Sequence, residues 1–203
     1  MGRAMAGNKD LTQLGRLVAH HHGWAAAKAF KAYRLTESDS AALTQCAISL
    51  LKVLPPALES AAMASAALAV GLERSLAAPV QVVAGALLVE GVPVVGTLGP
   101  DEGAQAFAGD LAGWPGHAWV MVGPHLVDIM LFRLAYSAQG PARLSRHVDL
   151  VFGPGKALYV DEWRRTPRVG LQYVPQYVLS ADQVTGLMGG AFHLIRAAQG
   201  AGA

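Results

Sequence analysis

The periodicity of the chain changes at Pro79, and that change limits the folds open to it more than any other feature. Before it, apolar residues recur at helical spacing through "LTQLGRLVAHHHGWAAAKAFKAYR" (residues 11–34), "SDSAALTQCAISLLKVL" (38–54) and "PALESAAMASAALAVGLERSL" (56–76). After it come short β-rich runs bounded by Gly and Pro, "PVQVVAGALLV" and "VPVVGTL", joined at Glu90-Gly91. A helical pattern followed by alternating strands with tight turns predicts an α+β fold, helices packed on an antiparallel sheet.

Punctuation sets the element ends. Gly23 should break the first helical run, and Ser38 or Ser40 is suited to cap the second. Pro55-Pro56 must interrupt that helix, because the residue before a proline is pushed out of the helical region. Proline suits a first helical position, so the third helix is expected to start there. Its Ala, Met, Leu and Ser composition is that of a helix buried on most sides. Residues 99–116 read as a loop and 132–150 as helical or irregular. "KALYVDEW" (156–163) and "VGLQYVPQYVL" (169–179) read as strands, the second an edge because Pro175 lacks a ladder donor. Ser180 caps a last, glycine-weakened helix. We expect a helical extension over residues 1–35 and one α+β domain over 36–203.

Apolar residues make up 53% of the 203-residue chain and charged residues 15%, which excludes a disordered or fibrous class. A net charge of +2 is too small to argue for nucleic acid. The basic residues between 131 and 170 read as a solvated face or as a site for an anionic partner. Cys46 is the single cysteine, so no internal disulfide and no cysteine zinc site can form. The start lacks a secretory h-region and a myristoylation serine. The uncharged stretch Ser60–Leu72 is too short to span a bilayer. These features lead to the expectation of a cytoplasmic protein without a membrane partner.

"GHAWVMVGPHLVDIML" (116–131) carries the chemistry. Strand alternation puts His117, Trp119 and Met121 on one face. With a two-residue turn at Gly123-Pro124, Asp128 lies opposite Trp119 and diagonal to His117. A turn at Val122-Gly123 would put acid and imidazole directly opposite, and a three-residue loop would separate their faces. Either two-residue register joins the pair, as a structural hydrogen bond or as a carboxylate that orients a general base.

This hairpin resembles the "H-x-W-V … D" hairpin of transglutaminase-like and other papain-fold thiol enzymes. "GLERSLAAPVQVVAGALLV" (71–89) is similar to the junction that leads from their cysteine helix into a strand. The resemblance covers about residues 56–131. It implies a papain-like fold and an acyl-transfer enzyme acting on a peptide or protein amide: a peptidase, deamidase or transglutaminase-like enzyme. His117 would be the base and Asp128 its orienter, with no metal or organic cofactor required. The position matching the nucleophilic cysteine holds Ser60, 19 residues before Pro79. A serine there is a weaker nucleophile, the mark of an inactive relative that keeps a binding role, or a replacement for Cys. Cys46 is the other candidate nucleophile, although it falls inside a helix and otherwise reads as a small buried residue.

The remaining signals carry less. Three adjacent histidines, His20, His21 and His22, cannot all point one way on a helix, so they read as a surface tract rather than a metal site. "GPGK" (153–156) lacks the spacing of a phosphate loop and reads as a turn. His125, His147 and His193 read as surface or structural histidines, and Trp119 as a shield for the imidazole or as sheet packing.

Overall fold

A computed structural model describes residues 8–55, 60–96, 114 and 116–200. The first helix, α1 (Asn8–Ala32), is broken at Gly23, which has φ 81° and ψ 166°. Only glycine adopts that backbone without strain, and it separates two helical halves whose Leu14, Val18, Ala27 and Phe30 reach one core. Helix α2 (Glu37–Val53) begins earlier than either Ser38 or Ser40 would set it. Thr36 is the cap. Its hydroxyl accepts from the Asp39 amide at 3.1 Å, while the Asp39 carboxylate accepts from the Thr36 amide at 3.1 Å. Asp39 closes this capping box, which decides among the hydroxyl residues nearby.

Helix α3 (Ala61–Ser75) is capped by Ser60, and the expected start at Pro55-Pro56 is therefore displaced. Residues 56–59 of that expectation lie outside the described residues. Strand β1 (Val80–Val89) turns through Glu90 and Gly91, both at positive φ, into β2 (Val92–Val95). Most of the expected 99–116 loop lies outside the described residues. Then follow β3 (His117–Val122), β4 (His125–Asp128), α4 (Leu131–Tyr136) and α5 (Ala142–Val151). Strand β5 (Tyr159–Glu162) is shorter than "KALYVDEW" suggested: it starts only at Tyr159, and a 3-10 segment takes over at Trp163. Strand β6 (Leu171–Val178) and α6 (Ala181–Gly200) complete the order, with the Ser180 hydroxyl accepting from the Gln183 amide at 3.3 Å.

The chain is α+β. Every strand pairing is antiparallel, and β1 is the hub. Along one edge it pairs with β3 (Val80–Gly85) and then with β2 (Leu87–Val89); along the other it pairs with β6, from Val83 to Val89. Among the described residues β6 pairs with no other strand, as an edge strand containing Pro175 should. Gly85 is needed where β6 is bulged beside Pro175, because a Cβ there would collide with the carbonyl oxygen of Val174.

Helices cover both faces of the sheet. Buried residues of α2, α3 and α6 (Leu43, Ala66, Leu68 and Leu187 among them) pack with Val82, Ala84, Ala118 and Val120. Residues of α1, α4 and α5 pack with Val83, Leu87, Trp119, Met121 and Tyr173. Because β1 is buried on both faces, its sequence is apolar at every position but Gln81 rather than an alternation. Small residues let α3 approach its neighbours closely, and a Cβ on Gly71 would lie 2.7 Å from Cys46 Sγ.

Candidate functional site: a buried imidazole–carboxylate–phenol cluster

The β3–β4 hairpin turns at Gly123-Pro124, with Gly123 at φ 53°. Val122 pairs with His125 and Val120 with Val127, so the register sets Asp128 opposite Trp119. His117 lies one pleat further along the same face and reaches diagonally to the acid. Its Nε2 donates to Asp128 Oδ2 at 2.6 Å, with the two residues 0% and 1% exposed.

Asp128 is saturated with donors. Its Oδ2 also accepts from the Tyr173 hydroxyl at 2.9 Å, and Oδ1 accepts from the amides of Met130 and Leu131 at 2.8 and 2.9 Å, at the start of α4. Burial alone would push this carboxyl up. The imidazole, the backbone amides and the phenol outweigh it and hold the group below its ordinary range. Burial and the adjacent Asp128 raise the Tyr173 phenol well above its ordinary value, so it remains a donor.

An ionised carboxylate only accepts, so Nε2 must carry a hydrogen, and in the ring's neutral form the lone pair lies on Nδ1. Nδ1 is buried and has no hydrogen-bond partner among the described residues. The ring packs between Trp119 and Tyr173, with centroids 6.1 and 5.9 Å away, and Tyr159 stacks on Tyr173. This arrangement fixes the ring's orientation and leaves Nδ1 without a partner among the described residues.

The two candidate nucleophiles stand elsewhere. The Ser60 hydroxyl accepts from the Met63 amide at 3.3 Å, as an N-cap does. Cys46 lies on α2 against α3, where burial pushes its thiol up, away from an activated thiolate. Neither hydrogen-bonds to His117 Nδ1. Both helices pack with Ala118 and Val120, whereas the imidazole shares its face with Trp119 and Met121. The structure thus joins His117 with Asp128 and leaves Ser60 and Cys46 across the sheet from them.

Ser60 nevertheless lies towards the His117 end of the sheet. Ser65 on α3 donates to the Ala118 carbonyl at 3.0 Å. Past the end of α3, the Pro79 carbonyl accepts from the Gly123 amide at 2.9 Å, at the hairpin end of β3. Helix and strand therefore run the same way. Ser60 precedes Ser65 by about 7.5 Å along the helix axis, whereas His117 precedes Ala118 by about 3.4 Å of strand. The helix start overhangs the strand start. Arg133 of α4 ties the same end together, donating to the carbonyls of Pro55, Leu51 and Leu54 at 2.9, 3.3 and 3.4 Å.

Other sequence signals take ordinary places. His22 Nε2 bonds the Leu179 carbonyl at 2.9 Å, and the His21 ring packs against Tyr177. Among the described residues no group of three or more His, Cys, Asp or Glu is arranged to hold a metal ion. His147 Nε2 bonds the Val169 carbonyl at 2.8 Å; His193 is exposed, and His125 stands on β4 beside the hairpin turn. Gly153 and Gly155 form a turn at positive φ. No helix among the described residues is long and apolar enough to cross a membrane. Tyr173 and Arg133 were not singled out from the sequence. The one available signal was that Leu171, Tyr173 and Pro175 alternate towards one face, which says nothing of which acid that face meets. No family model, no curated protein and no solved structure matches the chain.

Proposed function

We propose that the chain is an acyl-transfer enzyme of papain-like, transglutaminase-like architecture, acting on an amide or thioester carbonyl of a peptide or protein. The observation that carries this reading is the buried His117 Nδ1, which has no hydrogen-bond partner among the described residues while Nε2 is held by Asp128. In the reaction, the Ser60 oxygen bonds to the carbonyl carbon as its proton passes to Nδ1. The tetrahedral intermediate then expels the amine or thiol, which takes that proton and leaves an acyl ester on Ser60. Water, or an acceptor amine, attacks the ester with its proton going to Nδ1, and the serine oxygen leaves with that proton. Amide groups of the first turn of α3 are suited to stabilise the oxyanion. A hydroxyl depends on its base far more than a thiol does, and cysteine at position 60 would be the stronger nucleophile. The reading requires Ser60 and the imidazole to approach each other around the end of β3 when substrate binds.

A second reading is a papain-fold binding module without catalysis. It is favoured by the Ser60 hydroxyl serving as a helix cap and by the complete enclosure of the imidazole.

The test uses the Ser60→Cys form in a Cys46→Ala background, with alkylation by iodoacetamide followed across pH. An enzyme-like site gives a thiol that ionises well below its ordinary value of about 8.5, and His117→Gln restores ordinary behaviour. A thiol of ordinary reactivity that ignores His117→Gln overturns the catalytic reading in favour of the module.

A further inference from the structure

We infer that Tyr173 is a positioning residue for His117: by donating to Asp128 Oδ2, the oxygen that the imidazole also uses, it limits how tightly the carboxylate holds a proton on the ring. Its catalytic meaning rests on the base role proposed for His117; its effect on the imidazole does not.

A buried carboxylate paired with an imidazole alone would favour the protonated ring strongly, since attraction between charges is little screened away from water. A base locked as imidazolium cannot accept a proton. Here the negative charge is spread over four donors: the imidazole, the phenol, and the amides of Met130 and Leu131. The two amides act on Oδ1. Among the described residues only the phenol competes at Oδ2 itself.

The phenol is fixed for that task. The Tyr173 carbonyl accepts from the Trp163 indole at 3.0 Å, and its ring lies edge-on to Trp119 and flat on Tyr159. Among the described residues, the groups facing the imidazole are Asp128 from β4, Tyr173 from β6 and Trp119 from its own strand. Tyr159 of β5 stands behind Tyr173 and directs its hydroxyl to Asp161 at 3.4 Å. From α1 this core receives the apolar Leu14, Val18, Ala27 and Phe30.

The test is an NMR pH titration of the His117 ring, which needs neither substrate nor nucleophile. In Tyr173→Phe, which keeps the ring and removes the donor, the midpoint of imidazole protonation should rise by about one pH unit, a tenfold change in proton affinity. Tyr159→Phe should leave it within about 0.3 unit, because its hydroxyl belongs to Asp161. If Tyr173→Phe does not fold, 3-fluorotyrosine at position 173 replaces it; this more acidic phenol is a stronger donor, and the midpoint should fall. An unchanged midpoint, or a shift of the opposite sign in either form, overturns the inference. Failure of the alkylation test with the titration shift intact would remove the catalytic reading and leave the role of Tyr173 standing.

Discussion

Replacing Asp128 by Asn keeps the number of heavy atoms in the side chain and reverses the polarity of half its contacts. Asn can still present a carbonyl oxygen to the amides of Met130 and Leu131, so the tie to α4 survives. Its NH2 then faces His117 Nε2–H and the Tyr173 hydroxyl, donor against donor. The imidazole can relieve the clash only by moving its hydrogen to Nδ1, which has no described acceptor. Two buried hydrogen bonds to a charged acceptor are lost, each worth about 1.5–3 kcal/mol. With partial relief from ring and hydroxyl rearrangement, Asp128→Asn should cost about 3–4 kcal/mol at pH 7, a large share of a stability of about 5–15 kcal/mol. The pH dependence has a definite sign. The folded carboxyl titrates below its unfolded value of about 3.9. Its contribution is therefore complete above that value and is lost as pH falls through the folded pKa. Urea unfolding of both forms, followed by circular dichroism from pH 7 down to about pH 3, should show the gap narrowing below about pH 4, where the unfolded chain's carboxyl takes up its proton before the native one does. A loss below about 1 kcal/mol at pH 7, or a gap that stays constant into acid, would refute the account of Asp128 as a saturated buried anion.

Two further predictions concern the scaffold. Gly23→Ala forces a side chain onto a backbone that only glycine adopts freely, while the added Cβ meets nothing within 4 Å. It should lower stability by about 1–3 kcal/mol, read as a shift in the urea midpoint, through backbone strain alone. Arg133→Met keeps the apolar stem and removes the donors that hold the last carbonyls of α2. Hydrogen exchange of the Leu54 amide, which bonds Leu50, should quicken about fivefold, with little change at Ala47 in the helix middle. Unchanged exchange would mean that Arg133 does not hold that end.

Much of the local structure was legible because it rests on contacts a few residues apart. Gly123-Pro124 allows a two-residue turn, and the register that brings imidazole and acid together follows from strand alternation. The breaks at Gly23 and Glu90-Gly91, the cap at Ser180 and the edge strand with Pro175 are signals of the same kind. The start of α2 was misplaced because Thr36, Ser38 and Ser40 offer equivalent hydroxyls, and the choice depends on which one Asp39 can reach.

The sequence by itself determined the α+β order of elements and the shared face of His117 and Asp128, since side-chain alternation and turn chemistry act within one hairpin. Tertiary structure alone decided that α3 covers the opposite face of the sheet, that Tyr173, 45 residues after Asp128, is its second side-chain partner beside His117, and that Ser60 ends beside the same strand end as the imidazole. Those outcomes depend on which strand edge each segment joins and which face each helix covers. They are set by burial summed over the whole core, and no local run of residues encodes that sum.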